Sequence, residues 1–570
     1  MSHALDDALK GPPDPQAEPV LIRSDQGRVL DGLMIEQVTW ERGEAAVSGW
    51  LVGAGRLEWL SSGAPLTAAR SALPRADVLQ ALDRADHDPE VGFTIKLSVR
   101  QPELTLRWWP ASQASDRPPV DMPLRVTVQQ GRSGRVRPKA HFEAAAIVPE
   151  AGCIVVAGWL LAQSPEDAWL ETDDGQRLDL DQAFRSYRKD VFDALGTECA
   201  EGSPRPGFLL AAAVEGRPGT VRIMADAGQG APVLVAEMGL QPQKRDPLAV
   251  FQWMNGLHTP QHRLAERLAQ VEGPLFQRLL AHDRQTWPHL PVKQRVLGSV
   301  PAAPKVSVVI PLYGRADFVE SQLVEFAKDP WLIEHAQLIY VLDDPRLVDS
   351  FQVQAEQWHR LYRVPFTWVW GAVNRGFSGA NNLGRAQARA DRLVFMNSDC
   401  FPRQPGWLPR LLQVLDDPGV GAVAPRLLFA DGSIQHASMA FMRREELGIW
   451  INHHPHMGLD PALDPRPGLC TVPAVTGACM AVRAADLDAV GGWDTGYLVG
   501  DFEDSDLCLN LRSRGLSIAY QPEVELTHLE RQSFRLLGQG DFRTRIVILN
   551  AVRHQQRWAG LLAETSSDTI

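Results

Sequence analysis

Apolar and polar positions change rhythm twice along the chain. From about residue 21 to residue 244 the apolar positions come in short alternating runs, such as Phe93-Thr94-Ile95-Lys96-Leu97 and Leu104-Thr105-Leu106-Arg107-Trp108, the period of half-buried strands. From Arg245 to about Ser299 the spacing turns helical, with Leu264, Leu268 and Val271, then Phe276, Leu279 and Leu280 after Gly273-Pro274. Beyond Pro301-Ala302-Ala303-Pro304 the apolar runs become continuous: Val306 to Ile310, Leu338 to Leu342, Val364 to Trp370, Leu393 to Met396 and Val420 to Ala424. Such runs suit strands covered on both faces. Helical faces lie between them (Phe318, Leu323, Phe326; Trp407, Leu408, Leu411, Leu412, Leu415). Strand, helix, strand in this order predicts a doubly wound α/β sheet in the C-terminal half.

The β-rich half contains a repeat. Val47-Ser48-Gly49-Trp50-Leu51, Arg75-Ala76-Asp77-Val78 and Gly92-Phe93 return in the same order as Val156-Ala157-Gly158-Trp159-Leu160, Arg188-Lys189-Asp190-Val191 and Gly207-Phe208. Two small β-sandwich-like units are therefore expected at residues 21–135 and 136–244, behind a flexible tail over residues 1–20. A helical connector over 245–300 and an α/β domain over 301–570 complete the expected layout. Trp50 and Trp159 read as core anchors and the Arg-x-Asp-Val marks as loop-closing ion pairs; the sharper alternative is a sugar-stacking surface.

Composition narrows the function. The formal charge of -12 excludes a general nucleic-acid binder. Six cysteines with no C-x-x-C pair suit a reducing compartment, without a disulfide framework or zinc site. The N-terminal residues lack the basic and apolar segments of a secretory leader, and no apolar run approaches the ~20 residues that span a bilayer. A cytoplasmic protein is expected, with peripheral contact to the inner face of the membrane as an option.

The candidate chemistry sits where the continuous runs break. Arg392-Leu-Val-Phe-Met ends in Asn397-Ser398-Asp399, polar residues at a strand's carboxyl end, where open α/β sheets bind ligands. Asp343-Asp344 follows another strand, and Asn374-Arg375-Gly376-Phe377-Ser378-Gly379-Ala380-Asn381-Asn382 is a glycine-punctuated loop opening a helix. Thr476-Gly477-Ala478-Cys479-Met480, read as the end of a further strand, then Phe502-Glu503-Asp504-Ser505-Asp506-Leu507 and His528, follow in order. Together with Val306-Ser-Val-Val-Ile-Pro311, this ordered set resembles a family 2 glycosyltransferase of GT-A fold, over about Lys305 to Ser533.

The resemblance implies inverting transfer of a sugar from a nucleotide-diphosphate donor (UDP-, dTDP- or GDP-linked), with Mg2+ or Mn2+ neutralising the diphosphate. On it, Asp399 and His528 are metal ligands. Asp504, with Glu503 beside it, supplies the base that deprotonates an acceptor hydroxyl. Donor-side roles fall to Pro311, Tyr313, Asp343, Asp344, Asn374, Gly376, Asn381, Asn397, Ser398, Gly477, Ala478, Asp506 and Arg531. The family's general form has Asp where this chain has Asn397, which removes one charge from the metal site. The expected acceptor is a bacterial cell-surface glycan, glycolipid or glycoprotein.

Each feature has a plainer explanation. An Asp pair before Pro345 forms turns, acidic residues at a helix start answer its dipole, and a lone His is usually structural. Asn452-His453-His454-Pro455-His456 reads as a surface or acceptor-side loop, not a metal site. Among Arg531, Arg535, Arg543 and Arg545, which alternate with Phe534, Leu536, Leu537 and Phe542, most are expected to coat a packing helix. A carbohydrate-binding scaffold that kept the fold and lost turnover is the alternative function. A nucleotidyltransferase is disfavoured, because Leu312-Tyr313-Gly314-Arg315 supplies a single Arg near the first strand.

Overall fold

The computed structural model describes residues 15–16, 18–24, 27–41, 44–53, 55–61, 64–66, 69–73, 75–84, 90–99, 103–110, 119–128, 137–162, 167–195, 205–226, 232–258, 263–444, 447–529 and 541–566. Most of the expected tail, Cys199 and the stretch with Arg531, Phe534, Arg535, Leu536 and Leu537 lie outside the described residues. Two compact units emerge, one of Met1–Ala146 with Ile154–Gln241, the other of Ile147–Cys153 with Pro242–Ile570.

The first unit is built of sheets. Val29–Glu41, Glu44–Val52, Gly92–Ser98 and Ala69–Leu73 are neighbours in that order, and Ala64–Leu66, Arg56–Ser61, Leu104–Trp109 and Val120–Leu124 form a second sheet. Further along, Lys139–Val148, Cys153–Leu161, Gly207–Ala213 and Phe184–Ser186 are neighbours in the same pattern, as are Arg177–Asp179, Ala168–Thr172, Thr220–Ala225 and Val233–Gly239. The repeated residues do structural work. Trp50 is buried against Val78 and Leu79 of the helix Ala76–Ala81, and Trp159 packs with Val191 and Leu195 of the helix Lys189–Leu195. Arg75 pairs with Glu36, and Arg188 with both Glu143 and Asp190. Trp50 is buried and offers no sugar-stacking face, whereas Trp159 is partly buried.

In the second unit, Val306–Leu312, Ala336–Leu342, Phe366–Trp370 and Arg392–Met396 are parallel. Period two divides their side chains between two cores. Val308, Ile310, Leu338 and Tyr340 join Leu323, Phe326, Phe351 and Leu411 on one face. Val309, Ile339 and Val341 join Ala380, Leu383, Leu507 and Leu511 on the other. Helices thus cover both faces, which is why these strands are apolar throughout. Gly384 lets one of them approach, since a Cβ there would meet Val309 Cγ1 at 2.2 Å.

The chain steps outward from Val306–Leu312 through Ala336–Leu342 to Phe366–Trp370, then returns to place Arg392–Met396 on its other side. That reversal opens a crevice at the strands' carboxyl ends. Beyond Arg392–Met396 the sheet continues through Cys479–Arg483, Val420–Leu428, Ser517–His528 and Cys400–Pro402. Cys479–Arg483 runs antiparallel to Arg392–Met396, so Gly477-Ala478 enters a strand, contrary to the expectation that it ends one. The antiparallel turn still delivers it to the crevice.

The stretch 245–300 is more than a helical connector. It holds the helices Pro247–Asn255 and Gly273–Thr286, with a π-turn at Leu268–Glu272, but ends in Lys293–Leu297, an edge strand paired with Phe366–Trp370. Arg267 and Glu272, both buried, pair at 2.5 Å, and Arg267 also donates to the carbonyls of Met254 and Leu257. Removing one partner would strand a buried charge, at a cost of about 3–5 kcal/mol. Glu272→Ala is therefore expected to lower the denaturant midpoint of the C-terminal transition by that equivalent; Lys189→Ala, which breaks an exposed pair with Asp193, should leave stability within about 0.5 kcal/mol. Equal effects would show that the buried pair holds nothing together.

Candidate active site

The crevice is a cavity of about 950 Å³. Its floor is the turn after Arg392–Met396. Asn397 N–H donates to Ala478 O at 2.8 Å, and Cys400 N–H closes back on Asn397 O at 3.2 Å. From beneath, buried Gln322 donates Nε2 to both Asn397 O and Cys400 O at 3.0 Å. The turn is held by its backbone, leaving the Asn397, Ser398 and Asp399 side chains on the cavity wall.

Cys400–Pro402 pairs antiparallel with the end of Ser517–His528, Cys400 opposite His528. That register sets Asp399 Oδ1 3.3 Å from His528 Nε2. His528 Nδ1 lies 3.2 Å from Gln435 Oε1, an acceptor, so the ring proton sits on Nδ1. Nε2 then carries a lone pair, is buried, and has no hydrogen-bond partner. A lone pair facing a carboxylate oxygen at this distance is unfavourable unless a proton or a metal cation lies between them. The imidazole and carboxylate donors fit a divalent ion such as Mn2+. Cys400, grouped with them by distance, is a poor third ligand, because its thiol donates to Ala478 O and burial pushes its pKa up.

Glu503 and Asp504 open the helix Glu503–Ser513, and both line the cavity. Their surroundings differ. Asp504 accepts from Gly477 N–H at 3.0 Å, from Ser505 N–H at 2.8 Å and from the Thr476 hydroxyl. Glu503 Oε2 is buried with no partner. Burial raises the pKa of both; at Glu503 the negative charges of Asp504 and Asp501 add to it, while at Asp504 the N–H bonds work against it. The approach to this helix is strained: Val499, Asp501 and Phe502 have φ of 68°, 73° and 76°. Left-handed backbone at a β-branched Val is costly and is typical of functional loops.

Pro311, Tyr313, Asp343, Asn374, Gly376, Gly477 and Ala478 also line the cavity. Asp343 is nearly sealed and accepts Arg375 N–H at 2.7 Å, fixing the glycine-punctuated loop. Three expected residues are elsewhere. Asp344 is turned away to Gly314 N–H and to Arg346, capping the turn Pro345–Leu347, which is the plain turn-forming role. Asn381 is fully buried and off the cavity wall, on the sheet-facing side of its helix. Asp506 is off the cavity wall, where it accepts from Tyr497 and Trp558 and pairs with Arg557. Gly477 owes its small size to Trp493, whose ring would meet a Cβ at 2.9 Å, and not to a ligand alone.

Several wall residues carried no signal in the sequence. Asp246, Leu248, Asp283 and Trp287 come from the stretch read as a connector, and Gln435 from the insertion after Val420–Leu428, whereas Asn452 and His454, also on the wall, belong to the histidine-rich stretch read as a surface or acceptor-side loop. Arg543, expected to coat a packing helix, lines the cavity too.

Residues 303–545 match the family model described as Glycosyltransferase like family 2. This region is a family 2 glycosyltransferase domain. The match covers less than half of the chain. The glycosyltransferase domain is similar to the O-antigen biosynthesis protein RfbC of Myxococcus xanthus, 28% identical over 43% of this chain and 19% of that protein. It is also similar to the pre-mycofactocin glycosyltransferase of Mycobacterium tuberculosis, 32% identical over 33% of this chain and 38% of that one. The chain thus spans well under half the length of these curated relatives. Among solved structures, the mannosyltransferase PcManGT from Pyrobaculum calidifontis in complex with GDP-Man and Mn2+ aligns at 15% identity with a TM-score of 0.30, covering 54% of this chain and 85% of that chain.

The facing lone pairs at Asp399 and His528 make a direct test available. Mn2+ titrated into the full chain and followed by the loss of its free EPR signal is expected to fill one tight site. Asp399→Ala and His528→Ala should each weaken it at least tenfold; unchanged binding in both would remove the metal assignment.

Proposed function

We propose that the glycosyltransferase domain transfers a sugar, with inversion, from a nucleotide-diphosphate sugar to a hydroxyl of a bacterial cell-surface glycan, glycolipid or glycoprotein. The observation that carries this reading is the convergence of Asp399, His528, Glu503 and Asp504 on one cavity at the sheet's switch point. A divalent cation bound to Asp399 and His528 would supply electrostatic stabilisation of the departing diphosphate. Pro311, Tyr313, Asp343, Asn374 and Gly376 are on the wall where a nucleotide would lie. The two N-terminal β-units would position acceptor or partner.

Inversion in one displacement needs a single base on the face opposite the leaving group. The acidic pair supplies it. Glu503 Oε2 is the oxygen with no internal partner, and its raised pKa makes it the more basic of the two once ionised. Asp504, with three donors already bound, holds Thr476-Gly477 in place and raises its neighbour's pKa through its charge.

A base must be unprotonated, so turnover should fall as pH drops through its pKa. With a panel of UDP-, dTDP- and GDP-sugars, at least one donor is expected to be cleaved or transferred in the presence of Mn2+. Glu503→Gln should lower kcat at least 100-fold without weakening donor binding. Asp504→Asn removes a negative neighbour, so the acidic limb of its kcat profile should move to lower pH. Loss of that limb together with activity in Asp504→Asn would make Asp504 the base. No metal-dependent turnover of any donor would leave the scaffold reading in its place.

A further inference from the structure

The family match ends at residue 545, but the helix Asp541–Ser566 continues past it and grips the segment that leads into Glu503. In that segment, residues 494–502, Leu498, Val499, Gly500 and Phe502 are on the cavity wall. Gly500 N–H donates back to Leu498 O at 2.9 Å across Val499, whose φ is 68°. A closure over two residues with positive φ at its centre is the rare form of γ-turn, and a β-branched residue is poorly suited to it. Asp501 and Phe502 continue in left-handed backbone. Such a path persists only where its surroundings fix it.

Asn550 does the fixing. It is 1% exposed, and its amide spans the turn. Nδ2 donates to Leu498 O at 3.0 Å and to Gly500 O at 2.7 Å, while Oδ1 accepts from Leu498 N–H at 3.0 Å. Two carbonyls and one N–H face it, so a single orientation of the amide serves. Neither a carboxylate nor a hydroxyl supplies two donors and an acceptor at once. The grip extends to either side. One helical turn on, the His554 ring lies against Phe502 with centroids 5.2 Å apart. It donates from Nε2 to Ser505 Oγ, 3.1 Å away, because the serine proton goes to Phe502 O. Arg553 pairs with Asp494 at 2.7 Å, and Gln277, on the helix Gly273–Thr286, donates to Gly496 O at 3.1 Å.

We propose that Asn550 is a positioning residue for the reaction: it locks the 498–500 turn and, through Asp501 and Phe502, fixes where Glu503 Oε2 stands in the cavity. This rests on the glycosyl-transfer reading with Glu503 as base. Asn550 is not on the wall of that cavity, so it acts through the turn. It borders instead a smaller space of about 160 Å³ shared with Leu280, Gly496 and Leu498, which gives the turn somewhere to go once the amide is removed. The base depends on its placing. Burial, and after it the charges of Asp504 and Asp501, hold the Glu503 pKa up. A loosened turn would admit water and separate these charges, leaving a carboxylate that ionises more readily and is less basic.

The test uses the full chain with Mn2+ and whichever of the UDP-, dTDP- and GDP-sugars it cleaves or transfers. Asn550→Ala is expected to lower kcat at least tenfold. The Kd of the matching nucleoside diphosphate, measured by calorimetry on the same samples, should stay within twofold and reports that the domain is folded. The acidic limb of the kcat profile should move to lower pH, a shift that a smaller fraction of intact enzyme cannot produce. Glycine takes positive φ freely, so adding Val499→Gly to Asn550→Ala should restore kcat at least threefold. A kcat within twofold of wild type in Asn550→Ala would overturn the inference. So would kcat and nucleotide binding failing together, which would make Asn550 a residue of the fold alone, or a loss of kcat with neither the limb shift nor the glycine rescue. A wild type that turns over no nucleotide sugar would instead fail the parent reading, a result seen before any variant is made.

Discussion

A short antiparallel pairing holds the site together. Cys400–Pro402 has only three residues, yet its register against the end of Ser517–His528 is the reason Asp399 and His528 meet. A slip of one residue would turn His528 to the other face of the sheet and leave the carboxylate facing apolar side chains. The register is protected from several directions. Gln322 grips the turn from below, Ala478 O receives Asn397 N–H, and Leu529 N–H donates to Asp399 O at 3.1 Å. These anchors come from a helix, a strand entrance and the segment after the paired strand, so no single element can shift alone.

The same economy governs the acidic start of Glu503–Ser513. Three carboxylates lie in its first turn, and each meets a different environment. Asp506 is neutralised from behind by Tyr497, Trp558 and Arg557, which belong to the loop before the helix and to the C-terminal helix Asp541–Ser566. Asp504 is bound by backbone N–H groups, a solvation that costs no mobility. Glu503 alone keeps a bare oxygen at the cavity. A fully satisfied acidic cluster would be more stable and chemically inert; the unsatisfied member, next to strained Val499, Asp501 and Phe502, is where stability has been given up.

Much of this could be read from the sequence because strand ends announce themselves. A continuous apolar run that breaks into Asn-Ser-Asp fixes both the strand and the polar face beyond it, and Glu503-Asp504 before Leu507 and Leu511 marks a helix start. What could not be read were directions and distant partners. Asp343 and Asp344 are adjacent and chemically alike, but one closes the glycine-punctuated loop while the other caps a turn, and only the path of the chain decides which. Asn381 and Asp506 belong to the right motifs on the wrong faces. No local pattern records the hydrogen bonds of Gln435 with His528, His436 with Thr476 or Asn452 with Ser505, made between residues 93, 40 and 53 apart.

The boundary of the domain teaches the same lesson from the other side. The family match begins at residue 303, but the sheet begins earlier, with Lys293–Leu297 at its edge, and so does the cavity. Arg375 lies over the Trp287 ring at 5.4 Å and donates to Gly371 O at 2.9 Å, while its own backbone N–H binds Asp343. Trp287 also packs so closely on Gly379 that a Cβ there would lie 2.9 Å from its ring. The loop that opens the helix Gly376–Gln387 is therefore shaped from two sides, by the sheet and by the segment that precedes the matched region. Helical periodicity made that segment look like a brace, yet its polar end, Asp283 to Trp287, helps to define the wall on which Asp343 and Asn374 sit.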